Sequence, residues 1–130
     1  MRFPTRLACG LLVCLLPATG CQRLEDERTV QLEGGVPKSV QYDPPRYAQK
    51  LAVTASSPGG PVSVYLVKAE DAEAGLNTLA ADGTPRDVLA KQENTREASL
   101  GADIPAKTGF ALLIKGQGQA REVKLKVVGR

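Results

Sequence analysis

From Thr29 onward apolar side chains return at every second position, in short runs broken by glycine and proline. That period marks half-buried β-strands rather than helices. Val30 and Leu32 alternate with polar neighbours until Gly34-Gly35, and a second run over residues 36–42 is closed by Asp43-Pro44-Pro45, since proline lacks the N–H that an interior ladder needs. Leu51, Val53 and Ala55 alternate with Lys50, Ala52 and Thr54. Ser57-Pro58-Gly59-Gly60-Pro61 then leads into Val62-Ser63-Val64-Tyr65-Leu66-Val67. This pair predicts a hairpin on a glycine-proline turn, with Val62, Val64 and Leu66 facing the same core as Leu51 and Val53.

Residues 69–82 do not alternate and are rich in alanine and acid, but Gly75 and Asn77 interrupt them, which predicts a long loop carrying a short helix. Short strands follow at 88–90 and 97–100. Phe110, Leu112 and Ile114 alternate with Ala111 and Leu113, so this run is apolar on both faces and belongs in the middle of a sheet. Gly116-Gln117-Gly118 reads as a hairpin turn into Val123, Leu125 and Val127, whose alternate neighbours Glu122, Lys124 and Lys126 give a wet face. The expectation over residues 29–130 is an all-β, antiparallel two-sheet β-sandwich, jelly-roll or Ig-like, of about seven or eight strands.

The first twenty residues have a different character. Arg2 and Arg6 precede an apolar run over residues 7–16, too short to cross roughly 30 Å of hydrocarbon as a helix and the right length for an export signal. Ala18-Thr19-Gly20-Cys21 resembles the bacterial lipobox, with alanine where that family most often has leucine. The resemblance implies cleavage between Gly20 and Cys21 and acylation of the Cys21 thiol. Gln22 stands where the inner-membrane retention signal would be aspartate, so the resemblance further implies an outer-membrane address in a cell with two membranes. The charged stretch 22–28 (Gln-Arg-Leu-Glu-Asp-Glu-Arg) reads as a solvated tether, giving residues 1–20 as signal, 21–28 as anchor and tether, and 29–130 as the domain.

Composition then narrows the chemistry. The chain has no histidine, which excludes Ser-His-Asp and Cys-His catalysis and histidine-ligated metals. Cys9 and Cys14 lie within the leader, so the mature chain keeps only Cys21 and has no internal disulfide. Loss of Arg2 and Arg6 lowers the formal charge from +3 to +1, which offers no general attraction for nucleic acid. Asp71, Glu73, Asp82 and Asp87 are the carboxylates that could build a loop calcium site, but they lack the spacing of a dedicated calcium loop and read as solvated, as does Glu25-Asp26-Glu27. Lys115, Arg121, Lys124, Lys126 and Arg130 gather near the carboxyl end, where lysines on an edge strand guard against edge-to-edge pairing. Tyr42 and Tyr47, on either side of Asp43-Pro44-Pro45-Arg46, are the candidate binding surface, set against the alternative that they cover one end of the sandwich.

Pro61-Val62-Ser63-Val64-Tyr65-Leu66, the acidic insert, Ala98-Ser99-Leu100, Ile104-Pro105-Ala106-Lys107-Thr108-Gly109-Phe110 and the valine-rich final run together resemble the bacterial pre-peptidase carboxy-terminal domain. The likeness covers residues 40–128 and implies a jelly-roll sandwich with a non-catalytic role. The expectation is therefore an envelope-anchored lipoprotein without cofactor or metal, binding a protein or envelope polymer. The alternative is a carrier or sensor with a small ligand between the sheets.

Overall fold

The computed structural model describes residues 24–33, 35–116 and 122–130. In chain order they form β1 (Leu24–Gln31), β2 (Lys38–Tyr42), β3 (Gln49–Ser56), β4 (Val62–Lys68), a 3-10 turn (Ala69–Asp71), α1 (Ala72–Ala80), β5 (Val88–Thr95), β6 (Glu97–Ile104), β7 (Phe110–Gly116) and β8 (Glu122–Gly129). The strands make two antiparallel sheets, β1-β8-β3-β6 and β2-β7-β4-β5. The first strand pairs with the last, the second with the seventh, the third with the sixth and the fourth with the fifth. Contacts of β3 with β8 and of β4 with β7 join these nested pairs into sheets. This is jelly-roll wiring, so the sandwich is of the jelly-roll and not the Ig-like type.

Nested pairing overturns both expected hairpins. Strands β3 and β4 lie in opposite sheets, and the link between them, tightened by a hydrogen bond from Ser57 Oγ to the Gly60 carbonyl (2.6 Å), carries the chain across the sandwich. Leu51 and Val53 do meet the core that holds Val62, Val64 and Leu66, but across the gap between sheets. Strands β7 and β8 likewise belong to different sheets, and residues 117–121 lie outside the described residues. Strand β8 runs between β1 and β3, so Lys124 and Lys126 stand on the open face of an interior strand and not at an edge.

Polarity along each strand follows its position. β3 and β8 bury alternate residues because only one face of their sheet meets the core. β7 and β4 are buried on both faces: Phe110, Leu112, Ile114, Val62, Val64 and Leu66 point between the sheets, while Ala111, Leu113, Tyr65 and Val67 meet a second apolar cluster under α1. The helix is thus a third layer, longer than the interrupted sequence predicts. Glycine inside a helix costs about 1 kcal/mol relative to alanine, but a Cβ at Gly75 would stand 2.6 Å from Leu113 Cδ1, so glycine lets the helix settle onto the sheet.

Lys115 and Asp82 close the far end of α1. The Gly83 N–H donates to the Thr78 carbonyl (2.8 Å) and the Asp82 N–H to the Leu79 carbonyl (3.0 Å), with Asp82 in the left-handed region at φ 63°. This is a Schellman cap with aspartate in the usual glycine place. Lys115 Nζ donates to the Leu79 carbonyl (2.8 Å) and to Asp82 Oδ1 (2.5 Å), placing a cation where the helix dipole favours one.

The stretch read as a tether is also corrected. Residues 24–28 are part of β1, paired residue by residue with β8 from Leu24 opposite Gly129. Glu25 and Glu27 face solvent, whereas Leu24, Asp26, Arg28 and Val30 share the inward face, opposite Gly129, Val127, Leu125 and Val123. An edge strand tolerates inward charge where the charges neutralise each other, and Arg28 Nε sits 2.9 Å from Asp26 Oδ2.

Candidate functional site

The two sheets present unlike outer faces. α1 covers the second sheet, while among the described residues no element covers the first. There, register aligns Thr29, Lys124, Ser56 and Glu97 in one row across β1, β8, β3 and β6, and Glu27, Lys126, Thr54 and Ser99 in the next. The short Ser56, Thr54 and Ser99 beside the long Lys124 and Lys126 leave a hollow of about 580 Å³ along these rows. The ion pairs among the described residues are Arg28–Asp26 and Lys115–Asp82, so the two lysines on the interior strand β8, in rows with Glu27 and Glu97, form no ion pair among the described residues. No aromatic ring lines this hollow. Signs alternate across the strands, which suits a polar partner carrying both charges.

Tyr42 is not part of a surface platform. It is 8 % exposed and stacks on Phe110 with ring centroids 4.9 Å apart. Its hydroxyl donates to Asp26 Oδ2 at 3.1 Å, and the Arg28 guanidinium lies 5.2 Å from its ring centre. Because Asp26 and Arg28 come from β1 and Tyr42 from β2, this cluster latches the two sheets along one open edge. Burial, followed by the hydrogen bond to Asp26, pushes the Tyr42 pKa up to about 12. The Arg28 hydrogen bond holds Asp26 below the usual carboxylate value.

The opposite edge is closed differently. The Gln92 side chain on β5 accepts from the Ser99 N–H of β6 at 2.9 Å, satisfying an edge donor across the two sheets. Nearby, the Tyr65 hydroxyl donates to Glu93 Oε2 (2.5 Å), and burial together with that bond pushes the Tyr65 pKa up to about 12.

Tyr47 is exposed at 56 %, beside Pro44, Pro45, Arg46 and Lys107, so the two tyrosines of the expected platform are separated. The four loop carboxylates are not brought together either. Asp82 is held by Lys115, which keeps its pKa below the usual value, and Asp71 and Asp87 line one hollow that also contains Arg86. Among the described residues no three Cys, His, Asp or Glu side chains converge on a common point. Of the basic cluster, Lys115 serves the helix cap, Lys124 and Lys126 line the sheet hollow, Arg130 lies at the end of β8, and Arg121 is outside the described residues. Gly20 and Cys21 also lie outside them, and no helix among the described residues is long and apolar enough to cross a membrane. Sequence reasoning missed the sheet hollow because its members come from four strands, and it missed the latch because Asp26 lies in a run of acids.

No protein-family model matches the chain, and no curated protein matches it by sequence. Solved structures do resemble it. The pre-peptidase C-terminal domain of collagenase from Bacillus anthracis superposes with a TM-score of 0.58 at 13 % identity, covering 80 % of this chain and 89 % of that one. PliG from Aeromonas hydrophila, a periplasmic inhibitor of g-type lysozyme, gives 0.51 at 10 % identity, covering 86 % and 90 %. At these identities the likeness is one of fold, and the chain shares a β-sandwich fold with both.

Proposed function

We propose that the protein is a non-catalytic, lipid-anchored module of the bacterial envelope that binds a protein or envelope polymer through the outer face of its first sheet. The observation that carries this reading is the hollow across β1, β8, β3 and β6, the uncovered sheet face with Lys124 and Lys126 at its centre. The filled interior counts against a ligand carried between the sheets, because Val64, Leu66, Leu112, Ile114, Val123 and Val127 are all shielded there. The Aeromonas neighbour is a periplasmic lysozyme inhibitor, a precedent for this fold acting on another protein. The anchor rests on the lipobox resemblance at residues 18–21, and in a cell with two membranes Gln22, in place of aspartate, supports an outer-membrane address.

Two experiments test the reading. Cys21→Ser should abolish lipid labelling and leave the precursor uncut; a variant processed and fractionated like the parent contradicts the anchor. With the anchored protein as bait in detergent-solubilised envelopes, the Lys124→Glu/Lys126→Glu variant should lose a partner that the parent retains. Identical capture by both contradicts the sheet-face site.

A further inference from the structure

If Cys21 carries the lipid, the start of β1 at Leu24 fixes which end of the sandwich meets the membrane. Three residues reach at most roughly 11 Å, whereas an eight-residue strand such as β1 runs about 27 Å. The tether is therefore shorter than the domain, and the Leu24 end has to sit close to the headgroups.

That end is a continuous surface. Leu24 lies opposite Gly129, Gly129 lies opposite Leu51, and Lys50 and Arg130 exchange backbone hydrogen bonds of 2.8 and 3.1 Å. Loop 43–48 joins β2 to β3 there and loop 105–109 joins β6 to β7; the Lys107 N–H donates to the Pro45 carbonyl at 2.7 Å and ties the loops together. Tyr47, at 56 % exposure, is one of two large apolar side chains that the described residues leave in solvent, and it stands on this end. Arg46 and Lys107 lie beside it, and Lys50 and Arg130 line the next hollow with Asp103; the other acids of this end are Asp43, Glu25 beside β1, and Glu70 and Asp71, brought there by the Ala69 N–H donating to the Gly109 carbonyl at 2.9 Å. An exposed tyrosine with arginine and lysine beside it, and further cations on the same end, is a side-chain set that settles at a membrane interface, the ring at headgroup level and the cations on phosphate.

We propose that the end bearing loops 43–48 and 105–109 lies against the phospholipid surface, with Tyr47 at the headgroups and Arg46, Lys50, Lys107 and Arg130 over their phosphates. This rests on the lipidation of Cys21 and deepens that reading. The sheet hollow at Thr29, Thr54 and Lys124 then lies several residues up the strands, in reach of a partner.

The chain has no tryptophan, so Tyr47→Trp supplies a single reporter at the proposed contact. Val36→Trp, at a 51 % exposed site by the turn between β1 and β2, reports from the far end. Each full-length variant, purified as the lipoprotein, is reconstituted into phosphatidylethanolamine/phosphatidylglycerol vesicles with and without bromine on the upper acyl chain. The Tyr47→Trp variant should emit at shorter wavelength on vesicles and lose most of its emission to the brominated lipid, while Val36→Trp keeps its emission. Equal emission with and without bromine from Tyr47→Trp, on protein whose acyl groups at Cys21 are seen by mass spectrometry, overturns the membrane contact and leaves the anchor standing. A mass spectrum without acyl groups at Cys21 overturns both.

Discussion

Removing one oxygen tests the latch between the sheets. In Tyr42→Phe the ring can keep its stack on Phe110, and only the hydroxyl that donates to Asp26 at 3.1 Å is lost. Hydrogen bonds to charged groups are worth about 1.5–3 kcal/mol. The Asp26 side chain retains 27 % exposure, so water and Arg28 recover part of the loss, which places the cost at about 1–2 kcal/mol. Tyr42→Ala, which also empties the space under Phe110, should cost about 3–5 kcal/mol. Urea unfolding of the purified protein reads both, and a cycle combining Tyr42→Phe with Asp26→Asn should show coupling of about 1 kcal/mol. The acid limit follows from the same contact. Asp26 has its pKa lowered below 3.8, so its contribution is complete above that value and is lost as pH falls through the folded-state pKa. A Tyr42→Phe variant within about 0.3 kcal/mol of the parent, with no coupling to Asp26, would show that the latch holds nothing.

Leu66 and Leu112 face the core from the two central strands of the second sheet, so either changed to alanine should lower stability by about 2–5 kcal/mol in chemical denaturation. Tyr42 and Tyr65 should ionise only near pH 12 in an ultraviolet titration; since their folded pKa values lie above the ordinary 10.0, the stability they contribute is present below pH 10 and is lost as pH rises from there. Lys115→Met should speed hydrogen exchange of the amides at the end of α1 by about two- to fivefold while leaving the sheets protected.

The strands were legible where burial and polarity coincide. β3 and β8 each bury one face, and β7 is apolar from Phe110 to Ile114 because the other sheet lies on one side and α1 on the other. Pairing was not legible. Glycine-proline turns between neighbouring runs favour hairpins, but in this wiring β4 and β5 are the one consecutive pair joined in a sheet, and α1 separates them in the chain. Asp26 and Arg28 hid half of β1, since each offsets the other's charge and together they occupy positions that apolar residues would otherwise announce. Gly75 and Asn77 read as breaks in a helix, whereas Gly75 marks close contact with Leu113, which only the sheet reveals. The Lys115–Asp82 cap and the rows across the first sheet join residues far apart in sequence, and neither leaves a local motif.

The uncovered face of the first sheet is the surface proposed to meet a partner in the envelope. Photo-crosslinking in intact cells tests it most directly, with a photoreactive residue in place of Thr54, exposed in the hollow, or of Glu73, exposed on α1. A discrete adduct from Thr54, absent from Glu73 and lost when Lys124→Glu and Lys126→Glu are added, is expected. Adducts of equal yield from both positions, or none from Thr54, would contradict it.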